Sequence, residues 1–253
     1  MSLFEESILR KLKEINFKPQ GVIGEAPSSW SMEMGLKHEF SLSDNILDRE
    51  SVRKICLDIN TDPLIGYLHA MAWGGQGKGP GGKSVVNRAW NNKEIIKDKL
   101  YNLRKGRSSR FEAYNLFSGK NEVPGLGPAY FTKLLYFFSP EPNMYIMDQW
   151  TTKPILLLTG KNIIRHTSQG PTKFNTGKNY ELFCSIIDYL APIIGAQNGD
   201  EVEQRLFSVG SIKKKPRGEF RQYVFDLWNN RPKFNRYQEK MVDELLLKIN
   251  ESN

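Results

Sequence analysis

Two side chains and one backbone turn in the middle of the chain have the chemistry of a reactive site. Asp148 follows the extended apolar run Met144–Met147 and opens the helical sequence DQWTTKPILLL. A carboxylate in that position accepts the first free amides of the helix. Held at the mouth of a cleft, the same carboxylate can also stabilise a developing positive charge or activate water, and the two roles are compatible. Lys133 is the one charge in a helix otherwise dominated by Phe131, Leu134, Leu135, Phe137 and Phe138. A lysine so placed either carries its amine to the surface or sits in a cavity that favours its neutral, nucleophilic form. Upstream, Val123-Pro124-Gly125-Leu126-Gly127 reads as a tight turn. Two glycines separated by one apolar residue permit positive φ and the close approach of another backbone or a phosphate. Pro128 suits the first turn of the helix that follows, where its missing N–H costs nothing. The free amides there form an anion site by geometry, and the ordinary alternative is a glycine-rich helix start.

A second motif competes. Gly77-Lys78-Gly79-Pro80-Gly81-Gly82-Lys83-Ser84 satisfies the pattern GxxxxGK[ST] of a phosphate-binding loop, and Met144–Asp148 reads as an apolar strand ending in an acid. A true loop of this kind follows a buried strand and opens a helix within alternating β/α units. Residues 64–73 have helical periodicity instead, and parallel-sheet strands are absent from 85–143. Proline within the loop also disturbs the run of amides that cradles phosphate. The stretch reads better as a basic loop, with Lys78 and Lys83 as phosphate contacts.

The elements that must hold these groups are helical almost throughout. Leu3, Phe4, Ile8, Leu9, Leu12 and Ile15 recur at helical spacing. Ser43 is placed to cap a helix running from Ile46 to Leu57, and Asp62-Pro63 opens Leu64–Trp73. Further helices are expected over 85–104, 109–118, 128–138, 149–158, 178–194, 200–207, 219–228 and 235–249. Strand candidates are confined to Gly21–Ile23, Glu39–Leu42 and Met144–Met147, and linkers to Gly160–Lys178 and Val209–Gly218. The expected class is mainly α, with a minor extended portion near the N-terminus.

Composition narrows the partners. The 253 residues carry 36 Lys+Arg against 28 Asp+Glu, a net +8, with 14 Phe, 10 Tyr and 5 Trp. A basic chain rich in aromatics points to a polyanion, most often nucleic acid. Basic clusters stand at Arg104, Lys105, Arg107 and Arg110, and at Lys213, Lys214, Lys215, Arg217 and Arg221. They are read as phosphate contacts or as a solvated charged face. A chain this long buries roughly 70–75% of its unfolded surface and folds without staples. Cys56 and Cys184, 128 residues apart, and only three histidines argue against a disulfide scaffold or a zinc site. His69 and His166 are read as structural. No apolar run approaches the ~18 residues of a membrane span, and the first residues lack a signal-peptide core. The expectation is a cytoplasmic, nucleoid-associated monomer with no membrane partner.

The wording around these residues resembles a known family. A Pro-Gly-Leu-Gly turn, then a helix, then an extended segment ending in an aspartate 21 positions after Gly127, is similar to the helix-hairpin-helix DNA glycosylase superfamily. GLGPAYFTKLLYFF and YIMDQWTTK particularly resemble bacterial proteins of the 8-oxoguanine DNA glycosylase fold. The specific match spans residues 121–150, and a looser one runs from AMAWGGQGKGP to VEQRLFSVG at 202–210. The resemblance implies a two-lobed helical fold: an N-terminal segment over 1–60, a helix-hairpin-helix core over 61–210, and a basic C-terminal helical segment over 211–253. It implies Asp148 as the catalytic carboxylate, amides of Gly125, Gly127 and Ala129 as the hold on a DNA phosphate, and Gln149 beside them on DNA. Carbonyls of Asn121, Val123 and Leu126 would hold a structural monovalent cation; no other cofactor is required. The chain departs from the family at Ala129, where members that also cleave the strand carry a Schiff-base lysine. Lys133 lies one helical turn further on the same face. SGKNE before the turn also departs from the usual apolar first helix.

The implied partner is double-stranded DNA with a damaged or modified base, 8-oxoguanine at family level. Cleaving its N-glycosidic bond builds positive charge on the deoxyribose, which a buried carboxylate stabilises. The nucleophile is water or a partly desolvated lysine amine, the latter giving abasic-site lyase activity through Lys133. The base must first leave the stack for a pocket with aromatic faces. Trp73, Trp90, Trp150, Tyr130, Tyr136 and Tyr145 are candidates, none preferred. Two other readings suit the same sequence: a helix-hairpin-helix DNA-binding protein without catalysis, and an NTPase using Gly77–Ser84.

Overall fold

The computed structural model describes residues 3–77, 82–106, 108–207, 219–231 and 237–251. The chain divides into two compact units, one formed by residues 1–19 with 145–253 and the other by 20–144. Thirteen α-helices and one two-stranded ladder make up the regular structure of the described residues. Helix α1 (Glu6–Lys13) belongs to the discontinuous unit. The continuous unit follows with α2 (Pro27–Met34), α3 (Arg49–Leu57), α4 (Pro63–Trp73), α5 (Gly82–Trp90), α6 (Lys93–Lys105), α7 (Arg110–Asn115), a 3-10 turn at Gly119–Asn121, and α8 (Pro128–Phe138). The discontinuous unit resumes with α9 (Gln149–Thr159), β1 (His166–Thr167), β2 (Gly170–Pro171), α10 (Gly177–Ile194), α11 (Gly199–Phe207), α12 (Glu219–Asn230) and α13 (Glu239–Asn250).

Side-chain caps set most of the starts in the continuous unit. Asp62 accepts from the Leu64 amide at 2.9 Å with Pro63 at the first position, so α4 begins where the sequence places it. The helix before it starts later than expected. Asp48, not Ser43, caps α3 through the Ser51 amide at 2.7 Å. Ser43 instead bonds the Asn45 amide in a local turn, the competing use of a serine hydroxyl. The single helix expected over 85–104 is two, because the Asn92 side chain donates to the Arg88 carbonyl at 2.8 Å and closes α5. Helix α2 has no counterpart among the helices that periodicity predicts. Its signals are Pro27 in the first turn and Gly35 in the left-handed conformation at its end. Its anchor is Trp30, fully buried, whose indole N–H donates to the Gln76 carbonyl at 2.8 Å.

Two helices form the centre of this unit. Helix α4 packs against α2, α3, α6 and α8. Tyr67, Leu68 and Met71 of α4 and Phe131, Leu134, Phe137 and Phe138 of α8 lie in the core. A helix this apolar on every side must be buried all round, as the sequence of α8 requires. In the discontinuous unit α9 touches α1, α10, α11, α12 and β2. It buries Ile155, Leu156 and Leu158, while Tyr180, Phe183, Ile187 and Leu190 of α10 build the rest of that core.

The extended segments differ from expectation. Gly21–Ile23, Glu39–Leu42 and Met144–Met147 form no ladder; the sheet is the short antiparallel pair His166–Pro171 and Thr167–Gly170. It lies inside the expected linker Gly160–Lys178. Asn175 orders that segment, its side chain accepting from the Arg165 amide and donating to the Arg165 carbonyl at 2.9 Å. The expected boundary at 210–211 and linker 209–218 fall outside the described residues. No helix among the described residues is long and apolar enough to cross a membrane.

Candidate active site

In the continuous unit the hairpin is closed by a hydrogen bond from the Leu126 amide to the Val123 carbonyl at 3.0 Å. Gly125 has φ +87°, and a Cβ there would stand 2.9 Å from the Ala89 nitrogen and inside contact of the Val85 carbonyl oxygen. The hairpin therefore rests its backbone on the backbone of α5, an approach only glycine allows. Gly127 differs. It caps α8 with φ −77°, and a Cβ there would meet nothing within 4 Å. Space is left above it. Among the described residues the amides of Gly125, Gly127 and Ala129 donate to no backbone carbonyl, so three donors stand at the start of α8, where the helix dipole favours an anion. Gln76, fully buried, backs the turn by donating weakly to the Gly125 carbonyl at 3.4 Å.

Lys133 does not extend to the surface. It is 7% exposed, and its Nζ folds back to donate to the Ala129 carbonyl at 2.6 Å, 5.2 Å from the centre of the Tyr130 ring. Helical side chains lean toward the N-terminus, so the amine returns to the turn in which Ala129 lies. Its stem runs where Gly74, at the end of α4, has no side chain: a Cβ on Gly74 would lie 2.7 Å from Lys133 Cδ and Cε. Glycine at 74 thus makes room for this lysine. No local sequence signal connected the two positions.

Asp148 and Gln149 belong to the discontinuous unit. Asp148, 8% exposed, caps α9. Its Oδ1 accepts from the amides of Trp150 at 2.7 Å and Thr151 at 3.1 Å, and its own amide donates to Thr151 Oγ1 at 3.0 Å. Thr152 Oγ1 holds the Asp148 carbonyl at 2.5 Å. The backbone and one oxygen are therefore fixed. The other oxygen, Oδ2, accepts no hydrogen bond among the described residues. The carboxylate is committed to the helix on one side and available on the other. Gln149 is half-buried, lies against Gly170 of β2, and accepts from Lys153 Nζ at 3.5 Å.

Around this helix start stands a cluster of rings and cations that sequence spacing did not reveal. Lys153 lies 4.9 Å from the Trp150 ring centre and 5.5 Å from that of Trp228. Arg221, on the neighbouring helix α12, lies 4.7 Å from the Trp150 ring centre and donates to the Phe207 carbonyl. His166 packs on Trp228 with ring centres 5.1 Å apart. Burial, with the charges of Lys153 and Arg231 adding to it, pushes His166 down to about 4 from 6.5. The unfolded chain then binds the extra proton first as the pH falls below 6.5. Stability that is full above that value is lost progressively down to about pH 4, by up to about 3 kcal/mol. His166→Gln should flatten this part of the Tm–pH curve; an unchanged curve in the variant would remove His166 as its cause.

Other basic positions are accounted for differently from expectation. Lys83 is exposed on the first turn of α5, its Nζ 3.5 Å from the Cβ position of Gly35 at the carboxyl end of α2, where a cation complements the helix dipole. The element before Gly77 is helix α4, not a strand, so the setting of a phosphate-binding loop is missing; Lys78 itself lies outside the described residues. Arg104 is no phosphate contact: it is 5% exposed and donates to the carbonyls of Asp58 at 2.8 Å and Thr61 at 2.7 Å. Arg107 and the cluster at 213–217 fall outside the described residues.

A family model described as "Putative 8-oxoguanine DNA glycosylase OGG-like protein" matches residues 16–207, more than half of the chain. No curated protein and no solved structure matches.

Proposed function

The chain belongs to this OGG-like glycosylase family, and from that premise we propose that it excises a damaged or modified base from duplex DNA, with Asp148 as the group that stabilises the sugar cation. The observation that carries the reading is the divided carboxylate: Oδ1 is tied to the α9 amides while Oδ2 accepts nothing among the described residues. A charge fixed in place needs no reorganisation when the C1′–N bond breaks and positive charge builds on the deoxyribose, which is where electrostatic stabilisation is strongest. The electrons of that bond leave with the base, and a nucleophile closes on C1′. The amides of Gly125, Gly127 and Ala129 take a backbone phosphate at the open face of Gly127, Lys78, Lys83 and Gln149 add contacts to DNA, and the target base turns out of the stack. An oxidised purine such as 8-oxoguanine is the substrate suggested by the family; a bulkier natural modification suits the same chemistry.

The hairpin carbonyls of Asn121, Val123 and Leu126 would hold the monovalent cation. No backbone amide among the described residues donates to those of Asn121 and Leu126, and the Val123 oxygen keeps a second lone pair. Neutral oxygens of this kind suit a hard cation, which would add positive charge beside the phosphate.

The nucleophile is water or the Lys133 amine, and trapping distinguishes them. Borohydride reduction of a Schiff base should give a covalent enzyme–DNA adduct that Lys133→Ala loses entirely. Gly74→Ala, which thrusts a methyl group into the lysine stem, should cut the yield about tenfold with Tm nearly unchanged, since a displaced amine loses its alignment. An adduct that persists in Lys133→Ala removes Lys133; no adduct with the wild type leaves water as the nucleophile.

The non-catalytic alternative rests on the capping bonds of Asp148 alone. Mass-spectrometric detection of free base, released from duplexes carrying one altered base each, tests the function. Release by the wild type but not by Asp148→Asn is expected, and no release from any duplex would favour the binding-only alternative.

A further inference from the structure

A separate groove lies wholly within the continuous unit, in the stretch between α2 and α3. It encloses about 590 Å³ and is lined by Leu36, Lys37, His38, Glu39, Phe40 and Lys93. The volume falls within the roughly 300–1,000 Å³ of small-molecule sites. Its wall is aromatic. The His38 and Phe40 rings are nearly parallel, 19° apart with centres at 5.7 Å, and Trp90 stands edge-on to His38 at 6.3 Å. Lys93 Nζ lies 5.3 Å from the Trp90 ring centre. His38 Nδ1 is buried without a hydrogen-bond partner among the described residues. Trp90 is itself part of the core, stacked on Tyr67 of α4 at 6.1 Å, and so gives the groove a fixed aromatic floor.

We propose that this groove binds a nucleotide, with its base against the His38–Phe40 face and its phosphate at Lys37 and Lys93. Ring faces accept any base by stacking, and two lysines supply the charge a phosphate needs. Glu39, the one acid in the lining, repels phosphate and suits the adjacent N1–H and exocyclic amine of guanine, a two-donor edge that adenine and cytosine lack, so a guanine nucleotide is the fitting probe. The two possible sources of that ligand are a free mononucleotide and an unpaired nucleotide of a DNA strand. The site shares no residue with the hairpin, Lys133 or Asp148, so it is tested without any glycosylase activity.

The test follows the assigned ring resonances of His38, with His69 and His166 as internal references, in full-length protein during titration with dGMP. Saturable shifts of His38 alone are expected at millimolar dGMP, with inorganic phosphate at equal concentration producing none. Stacking on an aromatic face is worth about 1–3 kcal/mol per base, so Phe40→Ala should weaken dGMP about fivefold or more. Lys93→Ala should weaken it less and reduce its salt dependence. Both variants must keep the wild-type Tm, and Phe40→Leu, which removes the aromatic face while keeping apolar bulk, is the second variant should Phe40→Ala be unstable. A single-stranded oligonucleotide with an unpaired guanine that shifts His38 at lower concentration than dGMP assigns the groove to a DNA strand; the reverse order assigns it to free nucleotide. No shift with either probe, or equal shifts with phosphate alone, overturns the proposal.

Discussion

Asp148→Asn is expected to bind duplex DNA as the wild type does while excising its base about 10²–10⁴-fold more slowly. The two halves of the prediction come from the two oxygens. Asparagine keeps a side-chain oxygen that can accept from the Trp150 and Thr151 amides, as Asp148 Oδ1 does now, and asparagine is as good a helix cap as aspartate. Tm should therefore move by little. What disappears is the negative charge available at Oδ2, the one group proposed to face the sugar cation. Single-turnover rates, equilibrium binding at fixed salt and thermal melting together decide the matter. A rate loss that tracks an equal loss of stability would make Asp148 a cap and nothing more.

The second large effect separates the two hairpin glycines. Gly125→Ala should cost at least about 2 kcal/mol of stability, from left-handed backbone strain together with collision against α5. The collision is with backbone, the Val85 carbonyl and the Ala89 amide, which cannot turn aside as a side chain can. The hairpin has to lift off α5, and DNA affinity falls with the fold. Gly127→Ala has φ −77° and an empty surrounding, so its Tm should match the wild type. Its methyl group projects instead into the space where a phosphate approaches, and affinity should drop about tenfold across DNA sequences alike, since phosphate contacts carry no sequence information. Melting and binding curves for the pair check this. Equal behaviour of the two variants would mean that the open face of Gly127 is not a contact surface.

These contrasts show where the sequence is informative. Helices with a strong apolar face or a side-chain cap, such as α4 behind Asp62 and α9 behind Asp148, are legible because the information is local. The sequence also carried Gly127, Pro128 and Asp148 as a spaced set. Helix α2 escaped because its place depends on the distant Trp30–Gln76 contact rather than on its own periodicity. The β1–β2 ladder escaped because two residues per strand give no alternation to read. Arg104 reads as a surface charge, yet its guanidinium lies over the Phe138 ring and its Nη1 closes the turn after α3, a burial that composition cannot disclose. The Lys133–Gly74 fit and the rings around Lys153 are likewise tertiary: residues from separate helices meet, and no spacing along the chain announces it.

The most direct measurement is a strand-cleavage assay on duplexes each carrying one altered base, read before and after hot alkali, with wild type and Asp148→Asn side by side. The account predicts alkali-revealed breaks at the altered base with the wild type and none above background with the variant. Equal breaks with both proteins, or none with the wild type on any modified duplex, would contradict it.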